Sequence, residues 1–362
     1  MNWSKLNRKW YTALLVGLLS LFVLSACGQE EVAKKEETTD LAVASETIDP
    51  QANEEIEQTD VTLWGVIGPQ VSGQQIIADK LGYFAEEGLN VNSRLVQSGP
   101  DIGPLIASGD AQLSFETTIT NITVSSNNIP TVIVAPMANI AGTQAVVARP
   151  GLEITSAKDI EGKKVGMVNG AGIMIAFQNM AKEMGVDVSK VQFVNIAPAD
   201  QIAALERGDI DIMAAWEPWI TKAIEIGGTL LFSGTEAHLP EKDGSVDWMR
   251  FYSTFQVNRN YLEQNPNTVK ALLRALNRAT DYINVNSDDA AVILQEEMPH
   301  LTLEEVKEMM GRNVYSMEVP QAMIDGSNEI AEFLLEMNNI TNLPDFDSYT
   351  DFSLLNEVLN EN

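Results

Sequence analysis

The sequence predicts an α/β protein of two similar lobes facing a cleft, and three observations carry that expectation. Strand-like and helix-like segments alternate from Val61 onward, and the alternation starts again near Gly151. Both runs also contain a helix, a turn with a small residue and an acid, and a strand in succession, "LIASGDAQLSF" and "AALERGDIDIMAAW". Alternating β and α segments imply a mostly parallel sheet with helices on its faces, and such sheets present ligands beyond the carboxyl ends of their strands.

What precedes Val61 is of a different kind. Lys5, Arg8 and Lys9 precede the apolar run "ALLVGLLSLFVL", which is short for a membrane span and closes on the small residues of "LSAC". This is the pattern of an export signal over residues 1–26. "LSAC" resembles a bacterial lipobox, which implies cleavage before Cys27 and lipidation of its sulfur. Cys27 is the single cysteine, so no intramolecular disulfide is available. The stretch after it, to Asp60, has no aromatic residue and many carboxylates, the composition of an extended, self-repelling tether over residues 27–60.

In the first run "VTLWGVI" reads as a strand because β-branched residues dominate it, and "QQIIADKLGYFAEEG" as a helix because Ile76, Ile77, Lys80 and Leu81 share a face. "LNVNSRLV", "AQLSF" and "IPTVIVAPM" supply further strands, with a short helix in "GPDIGPLIASGD". The β-branched run in "ITNITVSSNN" weakens any helix there. In the second run "GKKVGMV", "VQFVNI" and "IDIMAAW" are strands, "IMIAFQNMAKEMG" is a helix with Ile173, Phe177, Met180 and Met184 on its apolar stripe, and "APADQIAALERGD" is another. "GTEAHLPEKDGSVDWM" reads as a loop, "RFYSTFQVN" as a strand, and the remainder as helices packed back onto the first run.

Composition narrows the function. A net charge of −28 repels phosphate backbones, so nucleic acid is not an expected partner. Catalytic inventory is thin: His238 and His300 are the only histidines, and no H-E-x-x-H, P-loop or G-x-S-x-G spacing occurs. No metal or cofactor is expected. Helix starts at the cleft could hold an anion through backbone N–H groups without any lysine. Candidates in the first run are Gln70, Ser72 and Gly73 in "PQVSGQ", Ser98 and Gly99 at the next helix start, Glu116 and Thr117 after the strand "AQLSF", and Asn139 on the cleft floor. Each has a plainer reading, with Ser72 as a helix cap and Glu116 as a carboxylate complementing a helix N-terminus.

In the second run Asn169, Gly170, Ala171 and Gly172 join a strand to a helix with two glycines, as a backbone N–H cradle requires. Then comes "AAWEPW", just past a strand end: Trp216 is expected to face the cleft or to be a core indole, Trp219 to pack in the core, Pro218 to fix the turn, and Glu217 to stand at a helix start where it could accept from a ligand.

Taken together, the lipobox, "IIADKLGYFAEEGLNV", "DIEGKKVGMVNGAG", "AALERGDIDIMAAWEPW" and "NPNTVKALLRALNRATDYIN" resemble the solute-binding lipoproteins of ABC importers, in the nitrate, sulfonate, taurine and pyrimidine-precursor group. Their order and spacing carry the resemblance, over Val61 to about Asn286. It implies a two-lobed type II periplasmic-binding-protein fold with a hinged cleft, the first lobe at 61–146 plus 249–362 and the second at 147–248. The crossings fall near Ala145–Arg149 and Trp248–Tyr252. It further implies a monomer anchored by lipid to the outer face of a bacterial membrane, of Gram-positive type, that delivers a solute to a permease and its ATPase. A sulfonate, taurine or nitrate-like anion is the first expectation and a pyrimidine or thiamine-precursor heterocycle the alternative. A tethered sensor or adhesin, or an enzyme on the same fold, are further ones; the related enzymes rely on a cysteine- and histidine-bearing segment that this sequence lacks.

Overall fold

A computed structural model describes residues 55–96 and 99–361. The export signal, Cys27 and most of the tether lie outside the described residues, as does Ser98.

Two sheets organise the chain. The first is built in order from β1 (Asp60–Val66), helices α1 (Pro69–Lys80) and α2 (Tyr83–Glu86), β2 (Asn90–Val96), α3 (Gly99–Ser108), β3 (Leu113–Thr117), α4 (Thr118–Ser126) and β4 (Thr131–Asn139). The second sheet takes β5 (Gln144–Ala148), β6 (Lys164–Met167), α5 (Ile173–Met184), β7 (Gln192–Asn195), α6 (Pro198–Arg207), β8 (Ile212–Trp216), α7 (Trp219–Glu225), β9 (Thr229–Ser233), β10 (Glu236–Leu239) and β11 (Lys242–Ser245). The chain then returns to the first sheet through β12 (Tyr252–Asn258). Helices α8 (Arg259–Gln264), α9 (Pro266–Val285), α10 (Ser287–Glu297) and α11 (Leu303–Gly311), the short strand β13 (Val314–Tyr315), and helices α12 (Gln321–Glu336) and α13 (Ser353–Leu359) complete it.

The strand orders are β13-β4-β12-β3-β1-β2 and β11-β10-β9-β5-β8-β6-β7. They share one pattern. In the first sheet β3 has parallel β1 on one side and antiparallel β12 on the other; in the second β8 has parallel β6 and antiparallel β5. The repeated sequence pair noted above is this shared unit, α3 into β3 and α6 into β8, so Thr117 and Trp216 stand at equivalent strand ends.

Both sheets are mixed, which corrects the expectation of mostly parallel ones: among the named strands of the described residues, only the β1–β2, β1–β3, β6–β7 and β6–β8 pairings run parallel. The segment "GTEAHLPEKDGS" is the hairpin β10–β11, with Ala237 and Leu239 buried and Glu236 and His238 exposed, instead of a loop. The first crossing between sheets is at Ile140–Thr143, before the expected 145–149, because Gln144 already pairs with Trp216. Residues 144–146 therefore belong to the second sheet, and the return crossing lies between Ser245 and Tyr252.

Helix α4 forms despite its β-branched run. Ile122 is fully buried, and Asn121 donates to Gln256 and accepts from Thr254 of β12, so packing and buried hydrogen bonds override weak propensity. Strand β8 is buried on both faces, as a central strand requires. Its Ile212 and Ala214 join the main core with Phe177 and Phe232, while Met213 and Ala215 join a smaller core with Leu205, Ile220 and Ala223 from α6 and α7.

Candidate functional site

At the "AAWEPW" corner of the second sheet, Gln70 of α1 reaches over from the first. Strand β8 stops at Trp216, and Glu217 and Pro218, joined by a cis peptide, lead into α7. Trp216 and Trp219 are both half-buried against the smaller core, so the structure does not separate them into one cleft-facing and one core indole.

Glu217 is 1% exposed. One of its oxygens accepts from the Thr221 backbone N–H at 3.0 Å and the other from the Thr221 hydroxyl at 3.0 Å, which satisfies an N–H of the first turn of α7. Its Oε1 also stands 2.9 Å from Nε of Arg312, which comes from the C-terminal tail just past α11. Burial raises its pKa above the ordinary carboxylate value, and the Arg312 charge and the Thr221 bonds offset part of that rise. The side chain expected to accept from a ligand is thus turned into the fold here, with both oxygens held by Thr221 and the Arg312 charge beside one of them. Sequence spacing gave no sign of Arg312, because its partner is 95 positions away.

Around the corner, Gln70 donates from Nε2 to the Glu217 carbonyl at 3.4 Å, while its Oε1 is buried without a partner. Ser72 is wholly buried inside α1 at a local kink (φ −113°, ψ 19°), with Gly68 in the capping position, so Ser72 is not the cap. Its hydroxyl has no hydrogen-bond partner. Gly73 faces packing instead of a cleft: a Cβ there would lie 3.3 Å from the Tyr315 ring. Gly99 opens α3, and Thr117 is half-buried between β3 and α4. Asn139 ends β4, where its Oδ1 accepts from the Ala141 N–H at 3.0 Å and holds the first crossing.

Glu116 is 0% exposed on β3, on the same sheet face as the linked set Ser114, Gln256, Asn121 and Thr254. No well-formed hydrogen bond reaches either carboxylate oxygen. Desolvation raises its pKa well above the ordinary value, and nearby Thr120 and the Thr117 N–H offset only part of that.

The glycine loop of the second sheet is covered from the tail side. The Asn169 N–H is bonded to Asn195 Oδ1 at 3.1 Å, and Gly170 has φ +76°, a value that side chains rarely adopt. A Cβ on Gly170 would stand 2.7 Å from Asn339 Nδ2, and one on Gly172 2.9 Å from Ile119 and 3.0 Å from Met249. Half-buried Ala171 lies between them, so the loop meets α4, the return crossing and the residues after α12. The structure thus brings Gln70 and Glu217 together, and sets the 169–172 loop against Ile119 near Thr117, while Gly73 lies apart.

A hollow of about 480 Å³ lined by Lys182, Glu183, Asp247, Trp248, Arg250 and Glu329 sits at the return crossing instead of the strand ends. Its charges are largely engaged with each other and with neighbours, through Arg250–Asp247 and Lys242–Glu183. Among the described residues no cluster of metal-ligating side chains occurs, and no helix is long and apolar enough to cross a membrane.

A family model described as NMT1/THI5 like matches residues 71–290. The taurine-binding periplasmic protein of Escherichia coli is 26% identical over 193 residues, 53% of this chain and 57% of that one. The chain thus spans a little over half the length of that relative. An Aspergillus parasiticus protein, 4-amino-5-hydroxymethyl-2-methylpyrimidine phosphate synthase, is 25% identical over 217 residues, 57% of this chain and 61% of that one. Among solved structures, the periplasmic aliphatic sulphonate binding protein SsuA of Escherichia coli superimposes with a TM-score of 0.68 at 15% identity, over 81% of this chain and 92% of that one. The fold is the two-lobed type II periplasmic-binding fold.

Proposed function

This chain belongs to the NMT1/THI5-like family, and we propose that it is the solute-capturing lipoprotein of an ABC importer. One observation carries the reading: two α/β lobes of shared topology end equivalent strands at Thr117 and Trp216, and Gln70 of the first lobe reaches Glu217 of the second. In this reading the lobes close on a small solute and hand it to a permease, while Cys27 carries the lipid that anchors the chain outside the cell. The taurine- and sulfonate-binding relatives favour a small sulfonate, taurine or nitrate-like anion. Helix starts and buried hydroxyl and amide groups would hold such an anion, with Arg312 largely neutralised by Glu217.

A second reading of the solute rests on Glu116. A buried carboxyl with no well-formed hydrogen bond suits a solute that brings its own N–H, such as an aminopyrimidine, and a half-buried Trp216 suits a flat ring. An enzyme on this fold is less well supported. His238 and His300 are both exposed, and His238 lies on the β10–β11 hairpin beside Asp243, away from the strand ends. A sensor or adhesin would use the same lobes without a permease.

Calorimetric titration with taurine, an alkanesulfonate, nitrate and an aminopyrimidine separates these readings. Binding of taurine or the sulfonate supports the anion, and binding of the aminopyrimidine alone supports the heterocycle. Heat from none of the four removes the importer reading as stated. Trp216→Ala is expected to weaken a stacked aminopyrimidine strongly and nitrate little; equal losses would count against stacking.

A further inference from the structure

We infer that Arg312 is a positioning residue for solute capture: its ion pair with Glu217 holds the C-terminal tail of the first lobe to the second lobe and so sets how readily the lobes stay closed. The inference rests on the importer reading, but its structural part can be tested without solute.

Two contacts of Arg312, and the anchoring of the residues that follow it, place it at the junction of the two lobes. Its guanidinium reaches Glu217 on the second lobe, with side-chain exposures of 17% and 0%. Its backbone carbonyl lies against the first crossing, where a Cβ on Gly142 would come within 2.4 Å of it. The residues that follow are fixed in the first lobe: Val314 and Tyr315 pair with β4, and the Tyr315 hydroxyl donates to the Pro69 carbonyl at 3.1 Å. Two further bonds span the same seam, Gln70 Nε2 to the Glu217 carbonyl and Lys222 of α7 to Glu305 of α11 at 3.4 Å.

The energetics make this pair selective for the closed arrangement. A buried ion pair contributes little net stability against an apolar replacement, but removing one partner leaves a buried charge uncompensated. Because Arg312 stands over Glu217, parting the lobes would uncover that charge. Opening would hydrate Glu217, whose remaining bonds to Thr221 are within its own lobe. Loss of Arg312 therefore penalises the closed state and spares the open one, which shifts the population toward opening. Loss of both charges removes the penalty. The double variant should close better than Arg312→Gln alone, and unchanged exchange at fold-control segments separates this from a folding role.

The test uses the full chain in parent, Arg312→Gln, Glu217→Gln with Arg312→Gln, and Gly142→Ala forms. Without solute, amide hydrogen exchange is followed at 140–143 and 217–221, with β3 and α9 as fold controls. Arg312→Gln is expected to speed exchange at both segments and leave the controls unchanged, the double variant to return toward the parent, and Gly142→Ala to reproduce the opening by displacing the Arg312 carbonyl. With taurine as probe, Arg312→Gln is expected to weaken binding roughly tenfold, within the usual range of coupling between a conformational change and a site. Unchanged exchange at both segments in Arg312→Gln, or a double variant no more closed than the single one, would overturn the inference. If taurine binds no form, the parent included, taurine is not the solute, and the exchange result still decides the latch.

Discussion

At the scale of single residues, the buried glutamates Glu116 and Glu217 divide sharply in how much of their setting could be read from sequence. Glu217 was legible as a helix-start residue because Pro218 and a following apolar helix mark the spot. Its pairing with Arg312 was not legible, since nothing in spacing links a corner to a tail residue across the fold. Glu116 was legible as a strand-end carboxylate, but its complete burial depends on α4 lying over it, and its β-branched sequence argued against that helix. The burial has a testable sign. A carboxyl whose folded pKa is raised stabilises the fold while protonated, below its unfolded value near 4.5, and that contribution is lost as pH rises through the folded value. Glu116→Gln should thus match the parent in melting temperature at pH 4 and exceed it at pH 8, by roughly 2 °C or more for a chain of this size. Equal melting temperatures at both values would mean that Glu116 is ionised at no cost in the folded protein.

At the scale of elements, periodicity served well wherever a segment buries one stripe or one face. Helix α5 follows its apolar stripe, with Ile173, Phe177 and Met180 at 0% exposure. The hairpin β10–β11 was missed although its alternation was present, because four-residue strands rich in charge look like loop until a neighbour pairs with them. Close approaches of backbone were invisible for a different reason: a glycine in a helix signals only weak propensity. Gly326 of α12 shows what such a glycine can be for. A Cβ there would stand 2.4 Å from Arg250 Cβ and 2.6 Å from the Arg250 carbonyl, on the return crossing between lobes. In an exposed helix, alanine would gain about 1 kcal/mol over glycine. Here the backbone must give way, and overpacking of that kind costs about 1–3 kcal/mol. Gly326→Ala is accordingly expected to lower the urea midpoint of unfolding, and a raised midpoint would show that α12 can shift freely away from the crossing.

At the scale of the whole molecule, the sequence displayed two α/β units and their likeness, while the way the tail closes over the second unit appears only in three dimensions, at Arg312, Asn339 and Glu329. The charge of −28 acts at this scale as well. Like charges spread over the surface repel one another and oppose compaction. Against that stand surface ion pairs such as Lys80–Glu297 and Arg278–Glu86, each of which contributes about 0–1 kcal/mol. Salt screens both, but not equally. In about 10 mM salt the screening length is roughly 30 Å, so carboxylates across a lobe feel each other, whereas in about 1 M it is roughly 3 Å and only contacting pairs still interact. The pairs thus keep part of their attraction while the diffuse repulsion disappears, and the buried Arg312–Glu217 pair is screened least of all. Sodium chloride should therefore raise the melting temperature between about 10 mM and about 0.5 M. A fall over that range would mean that the ion pairs, and not the excess of carboxylates, dominate the electrostatics of the folded state.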